Sequence, residues 1–179
     1  MVRRNETELQ HDIITVAIEQ LGQQAIYHQD FVPEGCWRTL EQSPACMEVG
    51  LGQDGMYDCS GLVIAALSYV IGRKPSEWPP GLRHTRDLWS YASGGTVDLG
   101  TPFELSSGDL LVMRRRWTIE GNDYWIPAHI GIITGMHDQG LPVLLEAQAK
   151  VGKVIERPVE TIENILGVIK ISELIEFAR

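Results

Sequence analysis

Residues 58–72 read DCSGLVIAALSYVIG. Leu62, Val63, Ile64, Ala65, Ala66, Leu67, Val70 and Ile71 leave this stretch almost no polar face, and a helix apolar nearly all round is a buried one. Asp58 or Ser60 is placed to cap its start, and Gly72 to end it. Cys59 therefore stands at or just before the first turn. The unpaired N–H groups and the dipole there favour thiolate over thiol. The same N–H groups can face the oxyanion formed when a carbonyl is attacked. Gly61 keeps the helix start uncluttered, so a substrate backbone can approach. A plain buried cysteine carries the same local signature, so a base has to be found before Cys59 reads as a nucleophile.

Five histidines are available: His11, His28, His84, His129 and His137. His129 opens AHIGIITG, a strand in which His129, Gly131 and Ile133 share one face and Gly131 leaves room for a ring or a substrate. A thiol at a helix end and an imidazole on a packed strand is what a Cys–His pair requires. His11 falls on an early helix and the other three lie near loops, where surface roles are expected. A third group should hold the imidazole's other nitrogen and fix its tautomer. In VLLEAQA, Glu146 and Gln148 point to one face, and either reaches His129 depending on register.

Working outward, Leu9, Ile13, Ile14, Ala17, Ile18 and Leu21 recur at helical spacing, predicting a helix from Thr7 to about Gln24. Residues 28–54 carry Pro33, Gly35, Pro44, Gly50 and Gly52 with little periodicity, and read as a long irregular excursion. A short helix is expected at 85–91. Strands are expected at 110–113, 130–134, 143–147, 153–155 and 165–171. Helices followed by a run of strands predict an α+β domain with helices packed on a central antiparallel sheet.

The 179 residues suit a single domain over 1–179, and the 44% hydrophobic content is that of a globular chain. A net charge of −9 argues against a nucleic-acid partner, which would need basic surface, and gives no support for docking on anionic lipid. No apolar run is long enough for membrane insertion. MVRRNETELQ lacks the apolar core of a secretory signal. The expectation is a protein that is cytoplasmic as made, with export by a non-classical route or a place in a phage particle left open. Three cysteines do not make a disulfide scaffold, and pairing of Cys36 with Cys46 is left open. No ligand cluster at metal spacing appears, and neither metal nor cofactor is expected.

At this point the sequence resembles the NlpC-type cell-wall cysteine peptidases, a papain-like family of bacterial and phage hydrolases. DCSGLV at 58–63, SGDLLV at 107–112 (with Ser107 as its first residue), HIGIITG at 129–135 and LLEA at 144–147 occur in the family's order. LRHTRDLW at 82–89 and ILGVIKI at 165–171 also fit. The resemblance implies a papain-like fold and a peptidoglycan peptide as substrate. It makes Cys59 the nucleophile, His129 the base and Glu146 a third catalytic residue in place of the family's usual His, Asn or Gln. It also implies substrate-binding roles for Asp58 and Ser60, which would hold the substrate's amino end, and for Tyr27, beside the oxyanion. The tryptophan–glycine pattern that normally follows that tyrosine is absent, and the 28–54 segment stands there as an insertion. Arg114–Arg116 and WTIEGNDYW form an enlarged hairpin at about 114–127. The implied reaction is hydrolysis of the γ-D-glutamyl–diamino acid bond. The alternatives are a related Cys–His hydrolase or acyltransferase on another amide or ester, and an inactive wall-binding module. A phage or secretion-system partner is left open.

Overall fold

The structure is a computed structural model that describes residues 6–22, 26–27, 56–74, 77, 84–92, 105–136, 140–148 and 150–178. The segment 28–54, with Cys36, Cys46 and His28, and also His137, lie outside the described residues. Helix α1 spans Glu6–Gly22, and the two-residue strands β1 (Ile26–Tyr27) and β2 (Met56–Tyr57) follow. Then come α2 (Cys59–Ile71), α3 (Thr85–Tyr91), β3 (Leu110–Ile119), β4 (Asn122–Met136), β5 (Pro142–Gln148) and β6 (Lys153–Pro158). A 3-10 turn at Val159–Thr161, strand β7 (Ile165–Ile169) and helix α4 (Ile171–Ala178) close the chain.

The sheet runs β2-β1-β6-β5-β4-β3-β7. From β6 to β7 every neighbour is antiparallel, and the short β1–β2 pair at the edge is parallel. This is the α+β arrangement expected, with helices on a central antiparallel sheet. Strand alternation divides the apolar side chains into two layers. Leu110, Val112, Ile130, Ile132, Leu145 and Ala147 join Ile13 and Ala17 of α1, Leu62, Val63 and Leu67 of α2, and Ile171, Leu174 and Ile175 of α4 in the main core. Leu111, Met113, Ile133, Leu144 and Val168 point the other way, onto Val159 and Ile162. Each such side chain contributes roughly 1.5–3 kcal/mol when fully buried, so this two-sided burial is what holds the sheet.

Two differences from the sequence reading have plain causes. Residue 171 was expected to end a strand but begins α4, because Ile171, Leu174 and Ile175 recur at i, i+3, i+4 and bury one helical face. Strands β3 and β4 run far beyond the predicted 110–113 and 130–134, because residues 114–127 continue the pairing as a two-stranded ribbon clear of β5 and β7. The SGD turn before β3 locks the sheet to α1. Gly108 has φ +91 and lies so close to Gln10 that a Cβ there would sit 2.8 Å from that side chain. Its neighbour Asp109, fully buried, accepts from Lys170 Nζ at 2.6 Å and from the Ser106 N–H at 2.8 Å.

Candidate active site

Helix α2 starts where the sequence places it. Asp58 is its N-cap, in extended conformation, and its Oδ1 accepts from the Gly61 N–H at 2.7 Å and from Ser60 Oγ at 3.0 Å. Gly72 ends the helix in the left-handed conformation at φ 71. Cys59 is thus the first helical residue and a free thiol, partly buried. Its N–H lies in the turn that has no intrahelical acceptor. Asp58 and Ser60 are both buried beneath it, in the cap itself. Thr85, the first residue of α3 and also buried, brings Oγ1 to 3.7 Å from Cys59 Sγ. This contact was not anticipated, since nothing local ties residue 85 to residue 59.

His129 comes from β4, opposite Met113 of β3, at the place where the β3–β4 register shifts. Beyond that shift β4 continues into the sheet. Pairing of Ile132 with Leu145 brings the C-terminal half of β5 alongside the histidine. Register therefore decides between the two candidate partners. His129 Nε2 meets Glu146 Oε2 at 2.6 Å, whereas Gln148 Nε2 donates to Glu146 Oε1 at 2.9 Å. With Nε2 occupied by Glu146, Nδ1 is the nitrogen left for Cys59. His129 is one-quarter exposed, while the Glu146 side chain is wholly buried.

The electrostatics follow from that placement. Burial by itself would lower the His129 pKa, but hydrogen bonds and charge from Cys59 and Glu146 outweigh it and raise it to about 10. Burial likewise opposes the charge on Glu146, and the His129 hydrogen bond and charge, joined by those of Arg157, hold its carboxyl below the usual range. The two shifts together favour an imidazolium hydrogen-bonded to an ionised Glu146, beside Cys59.

The sequence reading missed Arg157, which reaches Glu146 from β6 with Nε 2.6 Å from Oε1 and Nη2 3.3 Å from Oε2. An arginine in the strand KVIERP was visible. Its pairing was not, because Leu144↔Arg157 and Glu146↔Ile155 are registers set by the folded sheet. Gly131 needs a correction. The space above it is no opening for a substrate: a Cβ there would lie 2.7 Å from the Leu145 carbonyl and 2.9 Å from the Leu144 side chain. Its role is close strand packing beside the histidine. The Tyr27 backbone pairs with Tyr57, next to the Asp58 cap, and its side chain is outside the described residues. His11 is exposed on α1, and His84 precedes α3, where its N–H donates to Asp87.

No protein-family model and no curated protein sequence matches the chain. Solved structures do. An N-acetylmuramoyl-L-alanine amidase from Bacteroides uniformis aligns with a TM-score of 0.58 at 12% identity, over 90% of this chain and 97% of that one. The peptidoglycan hydrolase RipB from Mycobacterium tuberculosis aligns at 0.51 and 22%, over 96% and 68%. A Legionella pneumophila protein aligns at 0.51 and 11%, over 89% and 87%. At these identities the likeness is one of fold, the papain-like α+β arrangement of helices packed on an antiparallel sheet.

Proposed function

We propose that this chain is a cysteine hydrolase that cuts an amide bond in the stem peptides of peptidoglycan, with Cys59 as nucleophile, His129 as base and Glu146 as the group that orients it. The observation that carries the reading is the convergence of three separate elements. The head of α2, the start of the sheet portion of β4 and the end of β5 supply a thiol, an imidazole beside it and a buried carboxylate hydrogen-bonded to that imidazole. A binding module has no use for that arrangement.

The chemistry follows from the geometry. With the Cys59 proton on His129, the thiolate attacks the amide carbon and a C–S bond forms. The Cys59 N–H at the helix head faces the resulting oxyanion, and Thr85 Oγ1 lies within reach of the sulfur. Collapse breaks the C–N bond, and the amine leaves with the proton held at His129 Nδ1. Water, deprotonated by the same nitrogen, then attacks the thioester carbonyl, and Cys59 is released with the acid. Glu146 stays ionised throughout and stabilises the imidazolium.

The scissile bond we favour is the γ-D-glutamyl–diamino acid linkage, on the resemblance of DCSGLV, SGDLLV and HIGIITG to the NlpC-type peptidases. In that reading Asp58 and Ser60 lie near the substrate's amino end, with Tyr27 beside the oxyanion. Structural likeness to an enzyme named for the N-acetylmuramoyl-L-alanine bond makes that bond the second choice. Mass spectrometry of muropeptides incubated with the protein and with Cys59→Ala separates them. Products ending at γ-D-glutamate, absent with the variant, are expected. Release of intact stem peptides from the sugar would move the assignment to the second bond. Untouched muropeptides beside a Cys59 that still reacts with iodoacetamide would point to another acyl substrate. An inert Cys59 would leave only a binding role.

A further inference from the structure

We infer that Arg157 is a positioning residue for the His129–Cys59 pair: by gripping both oxygens of Glu146 it keeps that carboxylate ionised and leaves Oε2 aimed at Nε2. The inference rests on the reading of Cys59 and His129 as nucleophile and base.

Glu146 is wholly buried, and an ionised carboxylate in such a place is costly unless it is paired and hydrogen-bonded. Its partners fill it. Oε1 takes Arg157 Nε at 2.6 Å and Gln148 Nε2 at 2.9 Å, and Oε2 takes His129 Nε2 at 2.6 Å and Arg157 Nη2 at 3.3 Å. A carboxylate has about four acceptor positions. All four are used, so a proton can bind Glu146 only by displacing a donor. Arginine is the one donor of the set that carries a permanent charge, since guanidinium does not lose its proton in proteins. Its two-pronged geometry also stops the carboxylate from turning.

The sheet makes this grip possible. Arg157 lies opposite Leu144 and Glu146 opposite Ile155, so arginine and glutamate are a diagonal pair on one face of β5–β6, within reach of a long side chain. Arg157 Nη2 also lies 3.8 Å from Met113 Sδ, the residue paired with His129 across β3–β4. Among the described residues, the charged or titratable groups facing this centre are Cys59 from α2, His129 from β4, Glu146 from β5 and Arg157 from β6. Among them Arg157 is the one whose charge does not titrate. Its function is to set where the others titrate.

An ordinary ion pair would brace the sheet and do nothing more. The two roles separate in Arg157→Ala and Arg157→Lys, followed by NMR titration of His129 and by the pH dependence of Cys59 alkylation with iodoacetamide. Neither readout involves a substrate. Loss of a neighbouring opposite charge shifts a carboxyl by about 1–3 pH units, and Glu146 should rise by that order in Arg157→Ala. His129 then loses its ionised partner, and its midpoint should fall by about one unit or more. The pH range over which Cys59 is alkylated should shift together with the His129 midpoint. Arg157→Lys keeps the charge but not the fork, and should lie between. Folded variants with the wild-type His129 midpoint and alkylation profile would overturn the inference and leave Arg157 a brace. If Arg157→Ala does not fold, Arg157→Lys decides by the same comparison. Intact muropeptides together with a shifted His129 would reject the substrate while keeping the role of Arg157.

Discussion

At the scale of single residues the site rests on caps and partners that each do one thing. Asp58 shows this most simply. Its carboxylate satisfies the Gly61 N–H and holds the Ser60 hydroxyl, both buried, at the turn that presents Cys59. Asp58→Ala removes the cap and should cost about 1–2 kcal/mol. Asp58→Asn, which keeps an acceptor, should cost less. Thermal unfolding of the two variants checks the order, and equal losses would mean that the charge matters more than the hydrogen bond. Glu146 differs from Gln148 in the same concrete way. Both lie on one face of β5, but one is the acceptor of His129 and the other a donor to that acceptor. The spacing of two residues in VLLEAQA cannot tell them apart.

Among elements, the β3–β4 hairpin is divided in two. Leu110, Leu111, Val112 and Met113 are buried between neighbouring strands, and Arg114–Ile119 and its partners leave the sheet as an exposed ribbon. Arg114 stacks over Trp125 at 4.4 Å, and Arg116 and Thr118 bond Asp123, so one ribbon face satisfies its own charges. Trp117 and Tyr124, opposite each other on the other face, are half exposed. The ribbon therefore contributes little to the core. Trp117→Ala should change stability by less than about 0.5 kcal/mol, whereas Leu111→Ala should cost about 2–5 kcal/mol. Chemical denaturation of both variants tests the division, and comparable losses would show the ribbon to be packed. Only the pairing shows which members of the arginine run have a partner.

For the molecule as a whole, the buried site ties stability to pH with a definite sign. His129 has a folded pKa of about 10 against 6.5 for the free side chain. Its contribution is thus complete below about 6.5 and is lost as pH rises toward 10. Glu146 is shifted down, so its contribution is present above the unfolded value of 4.5 and is lost as pH falls through the lower folded value. A stability plateau is expected between about pH 4.5 and 6.5, with a decline on the alkaline side. Urea denaturation from pH 5 to 10, with Glu146→Gln beside the wild type, measures it. The alkaline decline should flatten in the variant. An unchanged slope would mean that His129 does not gain its shift from this carboxylate.

What the chain determines by itself is what can be read within a few residues. The run from Leu62 to Ile71, with Asp58 before it and Gly72 after, dictates a capped, buried helix because caps and periodicity act locally. The same holds for the short helix at Thr85–Tyr91 and for the order of cysteine, glycine–aspartate turn, histidine and acid along the sequence. The tertiary structure alone decides what crosses between strands. It sets Glu146 rather than Gln148 on the histidine, Arg157 behind the glutamate, Thr85 beside the sulfur, and Leu144 in the space over Gly131. Each of these depends on register between segments far apart in sequence. Register is settled by the burial of two sheet faces at once, a property of the assembled core that no single strand carries.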